Sequence, residues 1–443
     1  MKKIFGLLLL AGLTVSGSTE ARKKHIAVSC LLIIVTLLGC ATKLNACTSV
    51  IVSGKVTPDG RPYIFKNRDT PNQDNLVVSV QGCRYHFIAI VGRQDSLNLN
   101  VWSGHNEAGF AIANTAAYNL NGRQKPGQPH PNGDEKDGNL MYHALATCAT
   151  LSDFEHLLDS IQQTRGTLHS NSNFAVLDAE GGVAYYETGN IGYVKFDAND
   201  PLQAPYGYLI RTNHGMSGER TMDQGLERYL AIQDYMTRAG FEGNLGFEPV
   251  IRKVTRTLTH GLTHLNLWDF APQDDSQPVY FPFRDFIPRW HTASAQVIQG
   301  VKKGENPSLT IAWTIPGSTL TTVAIPLWIT PKGELPKVVT RNNEGHATLV
   351  DAGFILKKQL FPIERGNGAD YINLSRLINH AGTGILQQIE PVETEIFRKA
   401  QSVIKTIRRN NCTGKETTEF YQWIDQYIKE QYQQRFGIVI NAI

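Results

Sequence analysis

Residues 47–54 read CTSVIVSG: one cysteine, two hydroxyl residues, then a β-branched run closed by glycine. Val, Ile and Thr suit a pleated, half-buried backbone, so the run is a strand. Fifteen residues follow as KVTPDGRPYIFKNRD, in which Pro58-Asp59-Gly60 is a strong turn signal ahead of a second strand, PYIFKNRD. An antiparallel hairpin therefore begins directly at Cys47. Further β-prone runs (LVVSV, YHFIAIV, NLNVWSG, GFAIANTA) continue the pattern to residue 116. They are separated by polar or glycine-containing turns.

Upstream of Cys47 the text is of another kind. Lys2-Lys3 precedes an apolar run, Ile4 to Leu10, and Arg22-Lys23-Lys24 precedes a second, Ile26 to Gly39. Each is short for a bilayer span, and a basic start followed by an apolar run is the pattern of an export signal. Residues 1–46 are read as signal and propeptide, and residues 47–443 as one catalytic domain with a helical C-terminal part. LLGC, residues 37–40, has the form of a lipoprotein signal and would attach the chain to a membrane through Cys40. Export to a periplasmic, secreted or lipid-anchored location is expected.

Removing residues 1–46 takes away six basic side chains (Lys2, Lys3, Arg22, Lys23, Lys24, Lys43) and one acid (Glu20), so the formal charge moves from +3 to −2. The basic balance belongs to the leader, and no nucleic-acid surface is expected. Beyond the leader only Cys47, Cys83, Cys148 and Cys412 remain, too few and too spread for a disulfide scaffold. Cys83 and Cys148 lie in apolar contexts and read as buried thiols.

Residues 121–138 (NGRQKPGQPHPNGDEKDG) lack an apolar face and read as a surface loop or flap. Helices are expected over NLMYHALATCAT, over SDFEHLLDSI with Ser152 and Glu155 as a capping box, and over MDQGLERYLAIQDYMTRAG with Thr221 and Gln224 capping it. Strands return in NFAVLDAEGGVAYYETG, GYLIRTNHG, SLTIAWTIPG and TTVAIPLWI. Two helical segments, VETEIFRKAQSVIKTIRR and TEFYQWIDQYIKEQYQQRF, close the chain.

Ala46 is a small residue suited to the position before a processing site. Cleavage there would leave Cys47 with both a thiol and a free α-amine. An α-amine of ordinary pKa, near 7.7, is partly free base at neutrality, so one residue would supply nucleophile and base. In FKNRD, residues 65–69, period-two alternation sets Lys66 and Arg68 on one face and Asn67 and Asp69 on the other. Asp69 could hold an ammonium; Lys66 or Arg68 could hold a substrate carboxylate or lower the thiol pKa. Asn114 and Asn119 in AIANTAAYN, and Asn213 and His214 in RTNHG, interrupt apolar text and offer amide donors or a conventional base. HGLTH, His260 to His264, lacks the Glu of a metal-hydrolase helix, and no metal or cofactor is expected.

Taken together, CTSVIVSG, DGRPYIFKNRD, GHNEAGFAIANT, SNFAVLDAEGGVAYYETG and RTNHG resemble the N-terminal-nucleophile (Ntn) amide hydrolases, the superfamily that includes choloylglycine hydrolases and the acyltransferase-like peptidase C45 group. The resemblance runs over about Cys47 to Trp328. It implies an α+β, four-layer αββα sandwich of two antiparallel sheets flanked by helices. It also implies that Cys47 attacks an amide carbonyl, Asp69 positions its amine, and Asn213, with Asn114 second, receives the oxyanion. Lys66, Arg68 and His214 would border the substrate. Lys66 stands where the bile-salt branch usually has Arg, and TNHG replaces its Asn-Asn-Pro-like text, which favours the acyltransferase-like branch. The expected reaction is cleavage of a small linear amide through a thioester. Transfer to a second amine, and a lipidated binding protein with an inert Cys47, are the alternatives; the oligomeric state is left open.

Overall fold

The computed structural model describes residues 46–123, 133–168, 170–189, 191–220 and 224–440. Residues 1–45, on which the expected export signal and Cys40 fall, and residues 124–132 of the expected flap lie outside these. Strands β1 (Ala46–Val52), β2 (Tyr63–Asp69), β3 (Asn75–Gln81), β4 (His86–Gly92), β5 (Val101–Asn106) and β6 (Ala111–Ala116) come first. Helices α1 (Gly133–Thr147) and α2 (Leu151–Arg165) follow, then β7 (Ser172–Leu177), β8 (Val183–Thr188), β9 (Tyr193–Asp197) and β10 (Tyr208–Arg211). After α3 (Leu226–Phe241) and α4 (Phe247–Arg252) come β11 (Tyr280–Pro282), β12 (Thr292–Gln299), β13 (Ile311–Pro316) and β14 (Ile325–Leu327). The chain ends with α5 (Thr348–Leu360), β15 (Tyr371–Asn373), α6 (Leu374–Leu377), α7 (Ile385–Asn410) and α8 (Lys415–Phe436).

Two large antiparallel sheets result. One is a meander in sequence order from β3 to β9; the other runs β10-β1-β2-β12-β13-β14. Alternation along the strands gives each sheet two apolar faces. Ile88, Ile90, Ala111, Ala113, Ala175, Leu177, Val183 and Tyr185 of the meander meet Ile51, Ile64, Ile298 and Ala312 of the other sheet in one core. The residues between them in sequence, such as Phe87, Phe110, Ile112, Phe174 and Tyr186, face outward and bury Met141, Leu145, Phe154 and Leu158 of α1 and α2. Behind the second sheet, Trp313 stacks on Phe397 of α7 at 4.0 Å and on Phe247 of α4 at 5.4 Å. Helices thus flank two facing sheets, the αββα sandwich.

Several local expectations shift. Residues 133–138 are helical rather than loop: α1 starts at Gly133. The capping box of α2 is Thr150 with Asp153, not Ser152 with Glu155: Asp153 N donates to Thr150 Oγ1 at 3.1 Å, and Asp153 Oδ2 accepts from Thr150 N at 3.0 Å. α3 begins at Leu226 behind Gly225, and Thr221, one of the two expected capping residues, lies outside the described residues. Cys148 is buried as expected, but Cys83 is exposed.

Replacing Trp313 with Ala should cost about 3–5 kcal/mol by opening a cavity between β13 and two helices. Denaturant titration of the purified chain, with a large fall in midpoint, is the check.

Candidate active site

The register of β1 against β2 builds the site. Ala46 lies opposite Asp69, Cys47 opposite Arg68, Thr48 opposite Asn67 and Ser49 opposite Lys66. Residues opposite each other on paired strands share a face. Cys47, Ser49, Lys66 and Arg68 therefore point between the sheets, while Thr48, Asn67 and Asp69 point to the helical side. The neighbours agree with this. Across the sandwich, the Arg68 guanidinium lies 4.4 Å over the Trp102 ring and Ser49 Oγ is 2.7 Å from Tyr185 Oη. On the other side Asn67 Nδ2 donates to Ile287 O at 3.2 Å. Cys47, Lys66 and Arg68 are all buried.

The Cys47 backbone is held from both ends. Its N–H donates to Asn213 Oδ1 at 2.9 Å, and its carbonyl accepts from Arg228 Nη1. Arg228 also donates to Thr48 Oγ1 and to Asn213 Oδ1, both at 2.8 Å. Two donors on Oδ1 fix the Asn213 amide, and its Nδ2 donates to Ala116 O at 3.0 Å. Burial pushes the Arg228 guanidinium down to about 10, with Arg289 adding to the effect and Asp69 opposing it, so it stays a cation at neutral pH. Gly225, at φ +82°, makes room: a Cβ there would collide with Arg228 Nη2.

Asp69 is filled by other donors. Arg289 Nε reaches Oδ2 at 2.7 Å, Thr292 Oγ1 reaches Oδ1 at 2.8 Å, and Asn67 Nδ2 reaches Oδ1 at 3.0 Å. Its cross-strand neighbour is Ala46, so loss of Ala46 would leave the Cys47 amine beside this carboxylate. Lys357 on α5 braces the same corner, donating to Thr292 O at 3.2 Å and to Gln73 Oε1. Its ammonium is brought down to about 7 by burial, against the pull of Asp69.

The other residues singled out fall elsewhere. Asn114 does not join Cys47, which corrects its expected place as second oxyanion donor. On β6, Ala111 and Ala113 face the second sheet, so Asn114, like Ile112, faces α1. There its Nδ2 donates to Asp137 Oδ2 at 3.2 Å and Ser172 Oγ at 3.3 Å. Asn119 ties its loop to Gly215, donating to the carbonyl at 2.7 Å. His214 is half-buried and makes no hydrogen bond to Cys47: its Nδ1 lies 3.2 Å from Thr212 Oγ1 and 3.3 Å from Gln224 O.

Arg228, Arg289 and Thr292 were not anticipated. The signal for Arg228 was present: it heads the buried stripe of α3 with Ile232, Met236 and Ala239, a charge on an apolar helical face. Glu187 was missed too. Fully buried, it accepts from Arg211 Nε at 2.6 Å, from Met216 N at 2.8 Å, and from Ser217 N at 2.7 Å and Oγ at 2.6 Å, so it fastens the turn after Asn213 to β10.

Burial alone would raise the Glu187 carboxyl, but Arg211 and the Ser217 and Met216 donors bring it below the usual value of 4.5. Its stabilisation is therefore complete above pH 4.5 and is lost as pH falls through the lowered folded value. Glu187→Gln should cost on the order of 3 kcal/mol at pH 7 and remove this part of the acid slope. Thermal unfolding from pH 3 to pH 7 checks both.

No family model and no curated protein matches the sequence. Among solved structures the chain is similar to penicillin V acylase from Agrobacterium tumefaciens, at 14% identity and TM-score 0.34 over 64% of this chain and 86% of that one. It is similar to a variant of conjugated bile acid hydrolase from Clostridium perfringens, at 12% identity and TM-score 0.34 over 64% and 92%. It is also similar to the N-acylethanolamine-hydrolyzing acid amidase ortholog of Caenorhabditis elegans, at 15% identity and TM-score 0.30 over 44% and 85%. Overlaps of this size carry no argument about what the chain does, which rests on the site itself.

Proposed function

We propose that the chain is an exported hydrolase of small linear amides that works through Cys47 as an N-terminal nucleophile. The observation that carries this reading is the β1–β2 register. It sets Ala46 opposite Asp69 and turns the thiol inward beside Arg68, while Asn213, just after β10, accepts from the Cys47 nitrogen. Cutting the Ala46–Cys47 bond would then create the α-amine next to its acceptor and its counter-charge.

In the first step the amine takes the thiol proton and sulfur bonds to the amide carbon. The oxyanion is met by Asn213 Nδ2 and a backbone N–H, each worth about 3 kcal/mol in such a role. Collapse breaks the C–N bond, the leaving amine takes the proton from the α-ammonium, and a thioester remains. Water, deprotonated by the same amine, adds to the thioester; the acid leaves and the thiol is restored. Access to water outside the cytoplasm favours hydrolysis over transfer to a second amine. Arg68 and Lys66, buried on the thiol's face of β2, suit an amide that carries a carboxylate, such as an N-acyl amino acid.

Exported material should begin at Cys47 by intact mass and N-terminal sequencing, and should cleave at least one class in a panel of N-acyl amino acids, dipeptides, bile-acid conjugates and penicillins. Cys47→Ala should abolish turnover while keeping the fold. Full activity in that variant sinks the assignment, and a lipidated Cys40 still joined to Cys47 in an inactive chain supports a surface-anchored binding protein instead.

A further inference from the structure

We propose that Lys357, on helix α5, is a positioning residue for Asp69: it holds the turn that delivers both outer donors to that carboxylate, and ties this turn to the loop leaving β2. The inference rests on the reading of Cys47 as a terminal nucleophile with Asp69 as its counter-charge. Residues 289–292 form a turn closed by Thr292 N on Arg289 O at 3.0 Å. Thr292 Oγ1 accepts from Arg289 N at 2.9 Å and gives its one hydrogen to Asp69 Oδ1 at 2.8 Å, while Arg289 Nε takes Oδ2 at 2.7 Å. Lys357 meets this turn twice. Its Nζ donates to Thr292 O at 3.2 Å and lies 5.0 Å from the centre of the Trp290 ring. The third contact, to Gln73 Oε1, fastens the loop between Asp69 and β3 to the same nitrogen.

The packing of α5 does not ask for a charge there. The helix otherwise buries Leu349, Val350, Ala352, Gly353, Leu356 and Leu360, and Lys357 is only 2% exposed among them. An ammonium facing neutral oxygens and a ring costs more to bury than a methionine of similar length, so Lys357 weakens the fold in which it sits. What it holds is the Asp69 corner. α5 also lies beyond Trp328, where the motif resemblance ends, so the helical C-terminal part supplies a component of the site. Of the charges around it, Asp69 on β2 favours the ammonium and is itself bound to Arg289. Burial lowers His291 on the same turn, against the pull of Asp69 and of Asp370 ahead of β15. Arg376 of α6 is paired with Asp275, and on α5 itself Asp351 lies 3.3 Å from His346 while Lys358 is exposed.

Lys357→Met fills the same slot with neither donor nor charge. Its kcat should fall about tenfold to a hundredfold with KM little changed, because Asp69 acts on the nucleophile and not on the bound amide. The variant should nevertheless melt above wild type. Burial brings the ammonium from 10.5 down to about 7 in the folded chain, so between those values the unfolded state binds the extra proton. The penalty is complete below the folded value and fades as pH rises toward the unfolded one, so the gap in melting temperature should be wider at pH 6 than at pH 9. A merely structural lysine gives the reverse, a variant that melts lower or does not fold and loses activity with its stability. That result overturns the proposal, and so does a wild-type kcat. In the chain that begins at Cys47, the rate of Cys47 alkylation by iodoacetamide, followed by mass on its own peptide, reads the same corner without an amide. It should drop several-fold in Lys357→Met, and an unchanged rate overturns the proposal. A wild type that begins at Cys47 and cleaves no amide defeats the functional reading instead, and the alkylation rate still judges Lys357.

Discussion

The pairing of β1 with β2 is the constraint on which the site depends. Side chains alternate with period two, so a slip of one residue would turn Cys47 toward the helices and bring Thr48 into its place. The register is held from several directions. β2 is central and pairs with β12 as well, Ser49 lies opposite Arg211 on β10, and Arg228 grips Cys47 and Thr48 from α3. The apolar residues further along the same faces, Ile51 and Ile64, commit the pairing to one register because they must meet the core.

The space between the sheets changes character along the strands. At one end Ile51, Ile64 and Ile298 face Ala111, Leu177 and Val183. At the other, Cys47, Ser49, Lys66 and Arg68 share the gap with Tyr185 and Glu187. Burying charge is costly unless it is paired, and the pairs differ in kind. Arg211 with Glu187, and Arg289 with Asp69, are close ion pairs. Arg68 lies over the Trp102 ring, and Arg228 donates to the uncharged oxygens of Cys47, Thr48 and Asn213. His105, at the apolar end, has both ring nitrogens without a hydrogen bond, and burial takes it down to about 3, so it is a neutral packing group.

Much of this was legible along the chain because it is local. The hairpin through Pro58-Asp59-Gly60 follows from turn chemistry, and the split of Lys66 and Arg68 from Asn67 and Asp69 follows from strand periodicity. Asn114 was misplaced for a related reason: alternation says that it differs from Ala113 in face, but not which face meets the second sheet. The shift of the α2 cap to Thr150 and Asp153 has a similar origin, since Thr150 and Ser152 both lie three residues before an acid and only packing chose between them.

By itself the sequence determined the strands, the cysteine at the head of the first one and the two-faced element Asn67–Asp69, because these depend on residues a few positions apart. The tertiary structure alone decided that Arg228, 181 residues beyond Cys47, closes over it, that Asp69 is bound by Arg289, just before β12, and by Thr292 at its start, and that Asn114 belongs to a different polar cluster. Those contacts depend on which sheet faces are brought together. Packing of two layers settles that, and no local period records it.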